Sequence, residues 1–497
     1  MLSIHPRQSP FVAATASAVL PGAGQALAGR PRRALLVAAP LLVMGLLAGF
    51  GLAQGLGASD VVEALLQPQV LLAILAADVA IWLWRSAAIV DAWWLVRRRS
   101  GGGRVRRSLG IAGLVALLIA STAPHVGLGL VDSEAMDTLT AVFAPGAPED
   151  EGALAPPPSM TALPSDEGSI DYSPLPSGPP VVLPGLDLGP ESTPTPSPSP
   201  APTKAPASAP AWARDGRLNL LIVGSDAGPD RWSLRTDTMI LASVETTTGR
   251  ATLFGLPRNL INVPLASPPN GPGGHYTGLL NSLYVYAVAH PSLFPGGDAR
   301  GFRAVEGAVA ALTGVRVDGM VLVNLAGFVR LVNALGGLDI NVPKALHDDN
   351  YPLEDGSGWI VLDIPAGHQH LDGRMALAYA RSRHQDSDYG RMARQQAVLL
   401  ALRREVKPCA LVPRINAVLK AIKGTFWTDL SIKDLPALLS LAARVNPASV
   451  RTVLFVPPRY PEVLTSAAIA AIRAVVAHPF VGPPPAKLPA GAGFWSC

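Results

Sequence analysis

The densest group of charged side chains in the sequence lies in YARSRHQDSDYGRMARQQ, residues 379–396. Only two aspartates are nearby to neutralise its arginines. The four arginines and the glutamine beside the last of them are Arg381, Arg383, Arg391, Arg394 and Gln395. Guanidinium groups bind phosphate through paired, charge-assisted hydrogen bonds. A solvated basic surface is the alternative, but it needs more acidic partners than this segment supplies. The residue types therefore favour an anion site.

The elements around this segment decide where its arginines point. A helix predicted from about residue 372 runs into the short extended stretch YARSRH, where Arg381 and Arg383 are two residues apart and face the same way. A second helix is predicted from about residue 390. Its two arginines and Gln395 lie at i, i+3 and i+4, on one face of the first turns. A helix N-terminus itself attracts anions, so we expect the two groups to converge on one ligand.

A second charged group is predicted at the rim of a β-sheet. LNLLIVG (218–224), DTMILASVE (237–245) and RATLFGLP (250–257) are predicted strands, and the turn TTTG makes the last two an antiparallel hairpin. The start of the second strand and the end of the third then share one rim. The charged residues expected there are Asp226, Arg235, Asp237 and Arg258. Two carboxylates beside two arginines favour Mg²⁺ bound together with phosphate; the alternative is two surface ion pairs of little energetic weight.

Residues 215–480 are predicted to form one α/β domain, a mixed sheet flanked by helices. A helix is predicted at about 301–313, and GMVLVNLAGFVRLVNALGGLDINVP predicts a strand, a helix, a Gly-Gly stop and a strand. His368 and His370 are spaced like a metal pair, but they are predicted in a turn before a helix, which argues against a metal role. No Ser-His-Asp order and no Gly-rich phosphate loop competes with the arginine site.

Residues 1–131 are predicted to form an α-helical membrane module. Uncharged or nearly uncharged apolar runs long enough to span a bilayer lie at 34–57, about 70–96 and about 108–131. Residues 11–28 are broken by LPGAGQALAG and are predicted to be re-entrant or interfacial; a signal peptide is the alternative, but the basic start is missing. Arginines precede the first run and fill the loop between the second and third. The positive-inside rule therefore predicts a multi-pass protein of the cell membrane, with a cytoplasmic N-terminus and an extracytoplasmic C-terminal domain.

The second apolar run carries two charges, Asp78 and Arg85. They are seven residues apart and lie on nearly the same helix face. Charges at this depth are costly and often functional. Neutralisation against neighbouring helices is the alternative that we favour.

The composition sets apart a linker and a tail. The 497 residues have a mean hydropathy of +0.31 yet include 49 prolines, many of them in residues 132–214. STPTPSPSPAPTKAPASAPA cannot bury enough apolar surface to fold, so this segment is predicted to be a disordered, semi-rigid tether. Residues 481–497 are assigned to a C-terminal tail.

The cysteines and the net charge exclude two further classes of protein. Cys409 and Cys497 show no CxxC pattern and therefore no structural zinc site. Outside the cytoplasm they can pair as a disulfide; two free thiols are the alternative. The pI is about 9.1, but the net charge is only +4. Without a recognition helix or a basic-aromatic stripe, no nucleic-acid partner is expected.

Several of these segments together resemble the LytR-CpsA-Psr (LCP) family of cell-envelope phosphotransferases. They are LLIVGSD, RTDTMILASVETTTGRATLFGLPRN, LLNSLYVYA, VNLAGFVRLVNALGGLDINVP and ALAYARSRHQDSDYGRMARQQ, in the family's order over about residues 217–400. The resemblance implies transfer of a glycopolymer, or an intermediate of one, from a polyprenyl-pyrophosphate carrier to a cell-wall acceptor, usually peptidoglycan. It also implies that the prenyl chain lies in an apolar pocket between a sheet and helices.

The resemblance implies roles for individual residues. Asp226 and Asp237 would hold Mg²⁺ (or Mn²⁺), and either could act as the base. The pyrophosphate would be bound by Arg235, Arg258, Arg381, Arg383, Arg391, Arg394 and Gln395. Asn281 also matches a motif position. The expected catalytic set is Asp226, Asp237, Arg258 and Arg383.

The sequence departs from the family pattern at one position, and two other functions are alternatives to transfer. GLPRN replaces the commoner Ile-Pro-Arg-Asp/Glu, so Asn259 is expected to change a contact behind the site. A non-catalytic sensor of lipid-linked glycans, or a pyrophosphatase that uses water in place of the acceptor, would use the same pocket.

Overall fold

The chain divides into two compact units, Met1–Asp137 and Thr138–Cys497. The computed structural model describes residues 9–53, 68–98, 104–143, 211–225, 236–352, 358–383, 385–407, 412–423 and 425–481. The predicted disulfide between Cys409 and Cys497 and the tail beyond residue 481 lie outside this range.

The N-terminal unit is built of helices in the residues that the structure describes. The helices are Pro10–Val19, Ala23–Leu27, Pro31–Ala53, Pro68–Arg97 and Arg104–Val142. The break predicted at LPGAG is confirmed, because Gly22 takes a left-handed conformation with φ of 100° between the first two helices. By length and composition, Gln69–Arg97 and Ser108–Val142 are long and apolar enough to cross a membrane.

The charges predicted in the second apolar run do not pair with each other. Asp78 lies 2.7 Å from His125 on the last helix of the unit. Arg85 donates to the carbonyl oxygen of Ala18, at 2.7 Å. Each charged side chain therefore has a polar partner on a neighbouring helix.

A six-stranded mixed sheet forms the centre of the C-terminal unit. Its strands are β1 (Arg217–Ser225), β2 (Thr236–Glu245), β3 (Ala251–Gly255), β6 (Gly319–Asn324), β11 (Phe426–Thr428) and β12 (Arg451–Leu454). Their order in the sheet is β11-β6-β1-β2-β3-β12. β2 is antiparallel to β1 and β3, and β6 is parallel to β1. The predicted α/β class and the predicted hairpin are confirmed.

The remaining strands form three two-stranded pairs. They are β4 (Val263–Pro264) with β5 (His275–Tyr276), β7 (Leu338–Val342) with β10 (Gly367–Leu371), and β8 (Leu346–Pro352) with β9 (Trp359–Ile364). We call the last pair the lip hairpin. His368 and His370 therefore lie in strand β10, and the predicted turn at these residues is wrong.

Helices cover both faces of the central sheet because successive side chains of a strand point to opposite sides. The helices of the unit are Leu283–Ala289, Arg300–Thr313, Leu325–Leu335, Gly373–Arg381, Asp388–Glu405, Ile415–Ile422, Leu435–Arg444 and Ser466–Ala477. On one face Leu241 and Phe254 pack with Phe302 and Ile472. On the other, Ile240 packs near Leu399 of the helix Asp388–Glu405, which we call the arginine helix.

Both ends of the predicted linker differ from the structure. The helix Arg104–Val142 passes the predicted boundary at residue 131 and also the end of the N-terminal unit at Asp137. At the other end, Trp212 is buried against Leu218 and Leu441. An apolar indole that packs on the folded domain belongs to that domain rather than to a tether. Residues 144–210 of the predicted linker lie outside the described range.

Candidate anion-binding site

The hairpin of β2 and β3 brings Asp237 and Arg258 together, as predicted. Ile240 pairs with Gly255. The residues that precede Ile240 in β2 and those that follow Gly255 after β3 therefore meet at one rim of the sheet. Arg258 NH1 donates to Asp237 Oδ1 at 2.9 Å, and Asn281 Nδ2 donates to the same oxygen at 3.0 Å. Asn281 is held by its own N–H, which donates to the Arg258 carbonyl at 3.0 Å.

Asp237 is an ionised carboxylate with one oxygen left for a ligand. Burial alone would raise its pKa, but the charge of Arg258 and hydrogen bonds from Asn281 and Arg258 outweigh burial, so the pKa lies below its usual value. Both side-chain hydrogen bonds fall on Oδ1, and no described residue donates to Oδ2. A carboxylate anchored through one oxygen suits a Mg²⁺ ion that takes its other ligands from phosphates and water.

Asp388, the first residue of the arginine helix, joins the sheet rim to the arginine segment. Its Oδ2 accepts from Arg258 Nε and from Arg391 NH2, each at 3.0 Å. Arg383 NH1 lies 3.8 Å from Oδ1. Sequence reasoning treated Asp388 only as a neutralising charge. Its position at a helix N-terminus, three residues before Arg391, was the signal that could have identified it.

Arg391 is the most deeply buried arginine of this group, with 4 % of its surface exposed. Burial is the largest cause that lowers its pKa, to about 10, and the charges of Arg258 and Arg383 act in the same direction. The group is still charged at neutral pH. Its Nε–H is buried and has no hydrogen-bond partner among the described residues. Unpaired buried donors are rare in folded proteins, and Arg391 lines the cleft, so this N–H is a candidate donor to a ligand there.

The predicted extended stretch at Arg381 is wrong. The helix Gly373–Arg381 includes Arg381 and ends before Ser382, which has φ of −53° and ψ of 143°. Asp372 caps this helix by accepting from the N–H of Met375 at 2.8 Å. The helix-forming run ALAYA outweighs the two-residue spacing. Both arginines still line the cleft, because the helix ends there.

The assignment of Arg394 to the ligand is a second expectation that the geometry does not support. Arg394 Nε donates to the Tyr379 carbonyl at 2.7 Å, NH2 donates to the Ser382 carbonyl, and NH1 is paired with Asp386. Arg394 does not line the cleft, whereas Arg391 and Gln395 do. Adjacent residues of a helix point about 100° apart, so Arg394 and Gln395 separate. Arg394 ties the arginine helix to the end of the helix before it.

The site opens into a cleft of about 410 Å³. Leu325 lies at the cleft together with three groups of lining residues. These are Gly224, Ser225, Asp237 and Thr238 on the strand ends; Arg381, Ser382, Arg383, Arg391 and Gln395 on the arginine segment; and Asp348, Asn350, Tyr351, Pro352 and Trp359 on the lip hairpin. Asp348 is buried and accepts from Ser382 Oγ at 2.6 Å, so it holds the backbone between two arginines. No local pattern in HDDNYP predicted this contact.

Two residues of the predicted site lie outside the described range, Asp226 and Arg235. Their described neighbours, Ser225 and Thr236, pair with each other at the end of β1 and the start of β2. Among the residues that the structure describes, no group of three or more His, Cys, Asp or Glu side chains could hold a metal ion.

A contact behind the site involves Asn259, the residue that departs from the family pattern. Tyr389, next to Asp388 in the arginine helix, donates its hydroxyl to Glu462 and is hydrogen-bonded by Asn259. Asn259, Tyr389 and Glu462 thus join the corner after β3 to the first turn of the arginine helix. Burial and the neighbouring Glu462 raise the pKa of Tyr389, so this hydroxyl stays protonated.

The family model of the LytR_cpsA_psr family matches residues 195–457, which is more than half of the chain. This chain belongs to the LytR-CpsA-Psr family. The match includes the sheet rim, the lip hairpin and the arginine segment, so the cleft lies within the family domain.

Curated relatives resemble the chain over less than half of its length. Biofilm regulatory protein A of Streptococcus mutans is 25 % identical over 244 residues, which are 47 % of this chain and 55 % of that protein. The polyisoprenyl-teichoic acid–peptidoglycan teichoic acid transferase TagU of Enterococcus faecalis is 29 % identical over 222 residues, 44 % of this chain and 63 % of that protein. The chain thus spans between half and two-thirds of the length of these relatives.

Similar solved structures include TagV of B. subtilis and TagT bound to LIIa-WTA. TagV has 20 % identity and a TM-score of 0.39 and covers 53 % of this chain and 96 % of its own. TagT has 20 % identity and a TM-score of 0.38, with coverages of 53 % and 91 %.

Proposed function

We propose that this chain is a phosphotransferase of the cell membrane. It moves a glycopolymer, or an intermediate of one, from a polyprenyl-pyrophosphate carrier to a cell-wall acceptor such as peptidoglycan. The observation that carries the proposal is the buried N–H of Arg391, which has no partner among the described residues and lies beside the Asp237–Arg258–Asp388 network. Family membership and the transferase names of relatives such as TagU support the same activity.

The arginines bind and polarise the pyrophosphate. Arg383 is about half exposed and meets the ligand at the mouth of the cleft, whereas Arg391 meets it at the floor. Arg258 is held charged by two carboxylates: burial alone would lower its pKa, but Asp237 and Asp388 raise it. Fixed guanidinium groups stabilise the charge that develops on phosphate oxygens during transfer, and they do not have to reorganise as the reaction proceeds.

In the reaction, a hydroxyl group of the acceptor attacks the phosphorus attached to the sugar. A bond forms between the hydroxyl oxygen and phosphorus, and the bond from that phosphorus to the bridging oxygen breaks. Prenyl phosphate leaves with the electron pair, and the hydroxyl proton passes to a base. The sugar phosphate is thereby joined to the acceptor as a phosphodiester.

The lowered pKa of Asp237 supports a role in metal binding rather than in proton transfer. A carboxylate that is held ionised is a weak base at neutral pH. Asp237 Oδ2, together with Asp226 as the family resemblance implies, would hold Mg²⁺ (or Mn²⁺). When bound, the ion would neutralise charge on the two phosphates.

The membrane module brings the domain to its lipid-linked substrate. The two apolar helices Gln69–Arg97 and Ser108–Val142 support attachment to a membrane. The arginines before the first apolar run and between the second and third support a cytoplasmic N-terminus and an extracytoplasmic C-terminal domain. Lipid carrier and wall acceptor would then meet the cleft on the outer side.

Transfer assays on the full chain in detergent micelles test this proposal. A lipid-pyrophosphate sugar is incubated with peptidoglycan fragments and Mg²⁺, and the phosphodiester product is measured by mass spectrometry. We expect Arg383→Ala to lower the rate by on the order of a hundredfold. Arg404→Ala changes an exposed arginine of the same helix outside the cleft and should leave the rate unchanged.

Other outcomes would redirect the assignment. Full activity of Arg383→Ala would contradict the site. Sugar phosphate released into solution without the phosphodiester product would identify a pyrophosphatase. Binding of the lipid-linked sugar without turnover under any metal would identify a sensor.

A further inference from the structure

The lining of the cleft has two chemically different parts. One part carries Asp237 and the arginines Arg381, Arg383 and Arg391. The other part is the lip hairpin, where Trp359 lines the cleft and is nevertheless 67 % exposed. An exposed indole is unfavourable, because burial of this apolar surface would stabilise the protein. Such a ring at the mouth of a cleft is a common feature of ligand sites.

The core of the domain determines this exposure. Leu362 and Ile364 of strand β9 are buried in a hydrophobic cluster with Leu338 and Leu346. Side chains alternate along a strand, so Trp359 and Val361 share the opposite face, where both are more than 60 % exposed. Trp359 pairs with Pro352 across the hairpin. The fold therefore presents the indole outward beside the cleft.

The charges of the lip hairpin indicate which part of the substrate it takes. Asp348 and Asn350 line the cleft together with Trp359, whereas the exposed Asp349 and Asp363 lie outside the lining, 2.8 and 3.9 Å from His347. Packing a prenyl chain beside a carboxylate costs free energy through desolvation. A neutral, hydroxyl-rich ring suits a lining of one indole, one carboxylate and one amide. Its hydroxyls can donate to carboxylate oxygens and exchange hydrogen bonds with Asn350, while its C–H face packs on the indole.

We propose that the lip hairpin is the glycan subsite of the cleft, with Trp359 against the sugar attached to the pyrophosphate. The subsite would orient the sugar phosphorus toward the incoming hydroxyl. This inference rests on the proposed function, because it takes the arginine end of the cleft as the pyrophosphate site.

Binding of two short-chain analogues to the full chain in detergent micelles tests the subsite. The analogues are geranyl pyrophosphate and geranyl pyrophosphate linked to N-acetylglucosamine, and affinity is measured by isothermal titration calorimetry. We expect Trp359→Ala to weaken the sugar-bearing analogue by on the order of tenfold and to leave the sugar-free one unchanged. Trp359→Phe should fall between wild type and Trp359→Ala. Val361→Ala is the matched control, equally exposed on the same strand face but outside the cleft lining, and should match wild type.

Unchanged binding of the sugar-free analogue also shows that the variant is folded. Equal weakening of both analogues by Trp359→Ala would overturn the glycan subsite in favour of contact with the lipid. No weakening of either analogue would overturn it as well. Failure of the wild-type chain to bind either analogue would instead contradict the proposed function, and the inference with it.

Discussion

Arg391 and Arg394 come from one short segment but have different roles in this molecule. At the cleft floor, Arg391 shares Asp388 with Arg258 and keeps one buried N–H without a partner among the described residues. One turn further along the arginine helix, Arg394 directs its guanidinium to two carbonyls and to Asp386. Both side chains are at least nine-tenths buried. Unused hydrogen-bonding capacity, and not burial or charge, therefore separates an arginine that awaits a ligand from one that holds the fold.

The largest effect that follows from this comparison is on stability. Arg394→Ala leaves Asp386 and two carbonyl groups without their donor, and we expect a loss of about 3–5 kcal/mol in the free energy of unfolding of the C-terminal unit. Thermal unfolding of the full chain in micelles, followed by near-ultraviolet circular dichroism, measures it. A shift no larger than that of Arg404→Ala would show that Arg394 does not act as a clamp.

The corresponding substitution at the cleft floor, Arg391→Ala, should affect activity more than stability. Arg391→Ala leaves Asp388 paired with Arg258, so we expect a loss of transfer rate of roughly a hundredfold with a smaller change in unfolding temperature than Arg394→Ala causes. Transfer rate and unfolding temperature are measured on the same preparations. The comparison breaks down if Arg391→Ala unfolds the chain as readily as Arg394→Ala does.

A smaller effect is expected from the hydrogen bond between Ser382 and Asp348. Ser382→Ala removes a hydrogen bond to the buried carboxylate of Asp348, which costs about 1–3 kcal/mol. The backbone between Arg381 and Arg383 should then lose its fixed position and raise KM for the lipid-linked sugar. Ser382→Thr keeps the hydroxyl and serves as the rescue variant. Equal KM values for Ser382→Ala and wild type would remove Asp348 from the site's support.

The smallest expected effect is on how the stability of the protein depends on pH. The pKa of Asp237 is lower in the folded protein than its usual value of 3.8, so its ionised form stabilises the fold at pH values above 3.8. That contribution is lost as the pH falls through the lowered pKa. Acid unfolding of wild type and Asp237→Asn should therefore differ most near neutral pH and converge in strong acid. A difference between the two that grows as the pH falls would contradict this sign.

The prediction that Asp237 and Arg258 meet at the sheet rim was confirmed because it rested on strand connectivity; Asp226 and Arg235 lie outside the described range. The turn TTTG sets the register of β2 against β3, and register brings Asp237 and Arg258 to one rim whatever the rest of the chain does. The predictions for Arg381 and Arg394 rested on local spacing alone. A two-residue spacing suits a strand, but the helix that begins at Gly373 continues through Arg381.

By itself, the sequence determined the α/β pattern, the paired rim of Asp237 and Arg258, and the concentration of arginine beside it. These depend on periodicity, turns and residue type, which are local. Only the tertiary structure decided that Asp388 links three arginines, that Asp348 supports Ser382, and that Arg394 serves the fold. The physical reason is that a long side chain turns toward whichever acceptors other segments bring within hydrogen-bonding distance. Those acceptors, such as the carbonyl of Tyr379, are positioned by packing that no short stretch of sequence encodes.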